Sequence, residues 1–204
     1  MRVILASASP RRKELLKKLF TDFEVVCATG SETYTASRPS DIVQELSRQK
    51  AEEVERRLFG ACGTKENPYP DYLILGADTV VTCNGRILGK PDDELQATQM
   101  LKMLAGTTHQ VYTGVALAIS SKGKRQSITF AECTNVRFYP MTDKEIAAYV
   151  HSGEPMDKAG GYGLQGIGGR FVQAIEGDYQ NVIGLPVAKL YQVFQKIEEI
   201  ALPF

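Results

Sequence analysis

An α/β fold with a mixed sheet is the class this sequence predicts, and three observations carry the prediction. Over the first hundred residues, short apolar runs alternate with segments of helical period. Residues 111–138 then hold two long runs of strand composition, separated only by 120–123. A helix, a strand and a last helix complete the chain. The order β-α-β-α-β, an antiparallel pair, then α-β-α gives a mixed sheet flanked by helices. No repeat or low-complexity linker marks a boundary, so residues 1–204 are read as a single domain, and 43% apolar composition supplies its core.

The first strand is the run Arg2-Val3-Ile4-Leu5-Ala6. Ser9 can cap a helix, Pro10 suits its first position, and Leu15, Leu16 and Leu19 form its inner stripe. Residues 23–27 read as a second strand and the polar stretch 29–40 as a loop. Asp41 opens a long helix with Val43, Leu46, Val54 and Leu58 inward, and Lys50 falls on the same row. A loop at 60–71, with Gly63, Asn67, Pro68 and Pro70, leads into Tyr72-Leu73-Ile74-Leu75-Gly76-Ala77. That run is too continuously apolar for anything but a buried strand, expected to end on Asp78-Thr79. Residues 80–83, Asn84-Gly85 and 86–88 spell a type I′ hairpin. The helix beginning at Pro91-Asp92 turns Ala97, Met100, Leu101 and Leu104 inward and stops at Gly106.

Strands at 111–119 and 125–138 come next. Thr142-x-x-Glu145 is a capping box for a helix ending near Ser152-Gly153. Residues 154–169 are glycine-rich and read as a loop, followed by a strand at 171–175 and a Gly177-Asp178 turn. A C-terminal helix from Pro186 faces inward with Val187, Leu190, Phe194 and Ile197.

Lys plus Arg equals Asp plus Glu at 24 each, and the pI is near 6.7. No global field therefore favours nucleic acid or acidic membranes, and any positive site must be local. No stretch is long and apolar enough to span a bilayer, and the five-residue N-terminal run is too short for a signal peptide. The expected address is cytoplasmic. Cys27, Cys62, Cys83 and Cys133 lie far apart, with only His109 and His151 besides, so reduced thiols are expected rather than zinc or disulfides.

Arg11-Arg12-Lys13 puts cations where a helix start prefers acidic residues, so an anion in front of them, a phosphate or a chain of phosphates, is one reading. The other is a basic cluster on a solvated face, or a nuclear-import or nucleic-acid patch. Two phosphate-loop lookalikes fail. Gly85-Arg-Ile-Leu-Gly89-Lys90-Pro91 lacks the spacing and the Ser or Thr of a P-loop. Gly161-Tyr-Gly163-Leu-Gln-Gly166 lacks the preceding strand and following helix of a dinucleotide site. Its glycines still allow the backbone close to a ligand.

Asp78 is the catalytic candidate, because open α/β sheets place ligands beyond the carboxyl ends of their strands; a turn-capping role is the alternative. Glu32, otherwise a solvated loop residue, can supply a second carboxylate, and the pair suits Mg²⁺ with substrate phosphate oxygens. Lys50 and Lys90 either snorkel to water or turn toward a triphosphate. Asp157-Lys158-Ala159-Gly160-Gly161-Tyr162-Gly163 and Gln165 form a further polar cluster, or else a mobile surface loop.

The blocks Leu5-Ala-Ser-Ala-Ser-Pro-Arg-Arg12, Gly76-Ala-Asp-Thr79, Lys90-Pro91, Ser152-Gly-Glu-Pro-Met-Asp-Lys-Ala-Gly-Gly-Tyr-Gly-Leu-Gln165 and Asn181-Val-Ile-Gly-Leu-Pro186 occur in order along nearly the whole chain. Together they resemble the Maf family of nucleotide pyrophosphatases. The resemblance implies an elongated α/β fold with a cleft between two lobes, similar to the inosine triphosphate pyrophosphatases, and often a homodimer. It implies hydrolysis of a nucleoside triphosphate between the α and β phosphates with a divalent metal, Mg²⁺ or Mn²⁺. Ser7, Arg11, Arg12, Glu32, Lys50, Asp78 and Lys90 fall on the family's cleft residues, with Asp78 as proton acceptor and Glu32 beside it for the metal. Ser9 and Lys158 join the substrate-binding set. Arg11, Thr79 and Gln165 resemble the branch acting on dTTP and UTP, with modified pyrimidine nucleotides and a housecleaning role as further expectations. The competing expectations are the same chemistry on 7-methyl-GTP or other modified purine nucleotides, and a non-catalytic regulator of cell division.

Overall fold

The computed structural model describes residues 1–64, 68–198, 200 and 202. Strand β1 (Arg2–Leu5) pairs in parallel with β2 (Glu24–Val25) on one edge and β3 (Tyr72–Cys83) on the other. Parallel neighbours need a crossover, and helices α1 (Pro10–Leu16) and α2 (Pro39–Phe59) supply the two. The apolar run at the start of β3 is fully buried, as expected of a strand covered on both faces. β3 then pairs antiparallel with β4 (Arg86–Leu88), and positive φ at Asn84 (51°) and Gly85 (73°) confirms the expected hairpin turn. Helix α3 (Glu94–Leu104), capped by Asp93, leads to β5 (Thr108–Ser121) and β6 (Lys124–Phe138). These are joined by another positive-φ pair, Lys122 (51°) and Gly123 (75°). After α4 (Asp143–His151), which carries the expected capping box, β7 (Val172–Glu176) pairs antiparallel with β6. The sheet has seven strands in the order β2-β1-β3-β5-β6-β7, with β4 on β3, and is mixed as predicted.

Four expectations need correction. β3 does not stop at Asp78-Thr79; it continues to Cys83, because β4 takes over pairing at Val81 where β1 has left off at Leu75. Helix α2 opens at Pro39, which fills a position needing no N–H donor, and Ile42 and Phe59 are buried while Leu58 is only half-buried. The glycine-rich stretch is not open loop but contains three short 3-10 helices, Glu154–Asp157, Ala159–Gly161 and Ile167–Phe171. A five-residue helix, α5 (Tyr179–Ile183), precedes α6 (Val187–Phe194); it is too short to show a period, and the Asp178 carboxylate accepts from the N–H groups of Gln180 (2.7 Å) and Asn181 (3.2 Å) at its start. Of the expected loop at 60–71, residues 65–67, including Asn67, lie outside the described residues.

The chain divides into two compact units. The first comprises Met1–Asp78, Thr113–Glu132 and Gly184–Phe204. Its core gathers Ile4, Val54, Phe59, Tyr72, Ile74 and Ala116, with the Phe59 and Tyr72 rings stacked at 4.4 Å. Here α2 lies directly on the sheet: a Cβ at Gly76 would strike the carbonyl of Ser47, and one at Gly114 that of Val43, so glycine sets the approach. The second unit comprises Thr79–Tyr112 and Cys133–Ile183, and packs Leu101, Leu104, Val111, Phe138, Tyr149 and Tyr162 beneath α3 and α4. All four cysteines are free, and among the described residues no helix is long and apolar enough to cross a membrane.

Candidate functional site

In the first unit the turn after β1 is organised by side chains. The Ser9 hydroxyl caps α1 by accepting from the Arg12 N–H at 3.4 Å, and the Ser7 hydroxyl accepts from the Ser9 N–H at 3.3 Å. Arg12 folds back over this turn, its Nη1 donating to Ser7 Oγ at 3.1 Å and its Nε to the Gly184 carbonyl at 2.9 Å. Burial lowers the Arg12 guanidinium below its ordinary range; Asp78 and Glu32 oppose that shift, whereas Arg11 adds to it. Arg11 is half-buried beside it.

Lys50 answers the question its position raises. Its side chain is only 13% exposed, so it does not snorkel; its ammonium donates to Asp78 Oδ1 and lies 3.0 Å from Glu32 Oε1. Asp78 is equally shielded at 13%, while Glu32 is about half exposed at 53%. Asp78 sits three residues beyond the last β1 pairing at Leu75 and three before the first β4 pairing at Val81. The first unit therefore collects Ser7, Ser9, Arg12, Glu32, Lys50 and Asp78, with two carboxylates sharing one ammonium. That donor set fits a hard divalent cation, which takes one or two protein carboxylates and fills its remaining positions from phosphate and water. Among the described residues no group of three or more His, Cys, Asp or Glu forms a larger metal cluster.

The remaining candidates belong to the second unit. Thr79 is half-buried in β3, and Lys90 and Gln165 are exposed. Lys90 follows Gly89, whose carbonyl accepts from the Gly160 N–H at 2.9 Å, so it stands next to the glycine-rich segment. The Lys158 ammonium bonds within that segment, to the Glu154 carbonyl at 2.6 Å and Asp157 Oδ1 at 2.5 Å.

Sequence reasoning missed the organiser of this segment, Glu154. Its carboxylate accepts from the Tyr149 hydroxyl (2.9 Å) and from the N–H groups of Ile167 (2.7 Å) and Gly168 (3.1 Å). Burial works to raise its pKa, but these donors and Lys158 outweigh it and leave the carboxyl below its ordinary range. Tyr149 Oη also accepts from the Gly163 N–H at 3.1 Å. A Cβ at Gly166 would collide with the Glu154 carboxylate, and one at Gly168 would lie 2.5 Å from Tyr149 Oη. The glycines thus admit Glu154 and Tyr149 to the backbone. The available signal was Glu154 itself, an acid five residues after Tyr149 at the entrance to a glycine-rich stretch whose backbone N–H groups need acceptors.

Residues 2–197 match the family described as Maf-like protein. A protein of Agathobacter rectalis, named dTTP/UTP pyrophosphatase, is 50% identical over 198 residues, covering 96% of this chain and 97% of its own. Proteins of the same name from Bacillus thuringiensis subsp. konkukian (50% over 190 residues; 93% of this chain, 92% of its own) and Bacillus cereus strain B4264 (48% over 198 residues; 97% and 96%) are similar at like extent. The order of the blocks along the sequence, the mixed sheet and these matches agree, and the chain belongs to the Maf family.

Proposed function

We propose that the protein is a nucleoside triphosphate pyrophosphatase that hydrolyses dTTP and UTP to the monophosphate and pyrophosphate, with a divalent metal. The observation that carries this reading is the Lys50 ammonium between Asp78 and Glu32, with Arg12 close enough for its ionisation to respond to both acids. Family membership and the names of the similar proteins support the substrate class.

Cleaving a phosphoanhydride is largely positioning and charge neutralisation. Arg12, held by Ser7 and the Gly184 carbonyl, brings a fixed positive charge to the polyphosphate oxygens. Lys50 pairs with both acids before substrate arrives and offsets one of their two charges, and its long arm lets the ammonium exchange a carboxylate for a phosphate oxygen. Asp78 takes a proton from the attacking water, whose oxygen bonds to phosphorus while the α–β bridging bond breaks and pyrophosphate leaves. Glu32 and Asp78 would hold Mg²⁺ or Mn²⁺, which when bound supplies charge stabilisation on the phosphates.

With dTTP as substrate, dTMP and pyrophosphate should appear in equal amounts; dTDP and phosphate would overturn the reading. Asp78→Asn retains an oxygen that accepts from Lys50, so it should fold and bind nucleotide while turnover falls roughly 10²- to 10⁴-fold. Unchanged turnover would remove Asp78 from the chemistry.

A further inference from the structure

Glu32 lies on a segment, residues 29–36, that has no helix or strand of its own, and the hydrogen bonds that fasten it come from one face of α2. Glu45, Gln49 and Glu53 are spaced four apart, so they stack along that face. The Glu53 carboxylate accepts from the Thr29 N–H (2.9 Å), the Thr29 hydroxyl (3.1 Å) and the Gly30 N–H (3.0 Å). Gln49 engages Thr33 twice: its amide NH₂ donates to the Thr33 carbonyl, and its amide oxygen accepts from the Thr33 N–H at 3.3 Å. The Glu45 carboxylate accepts from the Thr35 N–H (2.9 Å), its hydroxyl (3.2 Å) and the Ala36 N–H (3.3 Å). One turn beyond Glu53, Arg57 donates to the Cys27 carbonyl at 2.8 Å. The segment runs antiparallel to the helix, residue 29 at 53, residue 33 at 49 and residue 36 at 45.

This register has a chemical consequence. Gln49 grips Thr33 while the next helix residue, Lys50, meets the preceding segment residue, Glu32, at 3.0 Å. A polar stretch with little apolar surface has no core contact to order it, so the side-chain rungs must do so. The backbone hydrogen bonds received by Glu45 and Glu53 lower both carboxyls below their ordinary range, which keeps the rungs charged near neutral pH.

We propose that Glu45, Gln49 and Glu53 are positioning residues: they strap 29–36 to α2 and so hold the Glu32 carboxylate where it meets Lys50. What Glu32 then does with metal and nucleotide rests on the function proposed above. The strap itself does not.

The test uses the full chain with Gln49→Ala and Glu53→Ala, exposed or half-buried helix positions that alanine tolerates, the conservative Glu53→Gln, and Glu24→Gln at a distant surface ion pair as control. Amide exchange at 29–36 should quicken about tenfold in both alanine variants, while exchange in β3 stays unchanged. Mn²⁺ affinity measured by calorimetry without nucleotide should weaken about tenfold, and the Mn²⁺ needed for half-maximal turnover should rise in step, with turnover at saturating Mn²⁺ within about twofold of the parent. Glu53→Gln, which keeps an acceptor oxygen, should recover most of the loss, and Glu24→Gln should match the parent.

Exchange at parent rates in both alanine variants would refute the strap. Faster exchange with unaltered Mn²⁺ affinity would refute its positioning role. A parent protein that hydrolyses no nucleotide would sink the proposed function instead, with the exchange and Mn²⁺ measurements still deciding the strap.

Discussion

Gln165 allows the proposed base preference to be tested with a single side chain. It is exposed, yet its flanks are fixed: the Gly163 N–H donates to Tyr149 Oη, and the Ile167 and Gly168 N–H groups donate to Glu154. A primary amide carries both an acceptor and a donor, matching the N3–H and O4 of thymine or uracil. A carboxylate only accepts, which suits the N1–H and N2–H of guanine. If Gln165 contacts the base, Gln165→Glu should move the ranking of kcat/KM from dTTP and UTP toward guanine nucleotides. A panel of triphosphates assayed for pyrophosphate release reads this directly, and an unchanged ranking would contradict the contact. Lys158 is a different case, since its ammonium already bonds to the Glu154 carbonyl and to Asp157 within the segment.

The glycine-rich element makes a prediction of its own. Removing the Glu154 carboxylate takes the acceptor from two backbone donors and the Tyr149 hydroxyl, so Glu154→Ala should cost about 3 kcal/mol in urea unfolding. Unfolding indistinguishable from the parent would deny Glu154 its organising part. Such an anchor is hard to read from sequence, because its partners are backbone groups, which carry no residue signature; the Gly184 carbonyl on Arg12 was hidden for the same reason. Elements with a clear period were legible: the inner stripe of α3, the Asn84-Gly85 hairpin and the capping box at Thr142 stand where the pattern put them, whereas α1 ends at Leu16 and leaves Leu19 buried in the turn beyond it. The true length of β3 was not, since Asp78-Thr79 resembles punctuation and the pairing that continues the strand, with β4 from Val81 on, lies beyond it. Asp78 and Lys50 were visible because each breaks an apolar pattern. Glu45, Gln49 and Glu53 were invisible because polar residues four apart on a helix look like a solvated face.

At the scale of the whole molecule, 24 basic residues balance 24 acidic ones, and some of them meet in surface ion pairs. Arg2 with Glu24 and Lys189 with Glu132 are examples, and exposed pairs of this kind contribute little to stability. A buried group, His109, adds a response of the fold to mild acid that is separate from that of the carboxylates. It is 1% exposed at the start of β5, its Nε2 lies 2.9 Å from the Tyr162 hydroxyl, and the rings of Phe138 and Tyr162 pack on it edgewise at 4.9 and 5.4 Å. Nδ1 has no hydrogen-bond partner among the described residues, so a proton there would be both buried and unpaired. Burial pushes the imidazole pKa down from 6.5 to about 4. The unfolded chain then binds a proton that the folded chain refuses: stability from this group is complete above pH 6.5 and declines as pH falls toward 4. Between pH 7.5 and 5 the loss amounts to about 2 kcal/mol. His109→Gln can still hydrogen-bond the Tyr162 hydroxyl but does not titrate. Urea unfolding of both proteins at the two pH values should show the parent losing about 2 kcal/mol more than the variant, whatever the remaining carboxylates contribute to each. Parallel losses would mean that His109 is protonated in the folded state and that its pocket is wetter than the packing of Phe138 and Tyr162 implies.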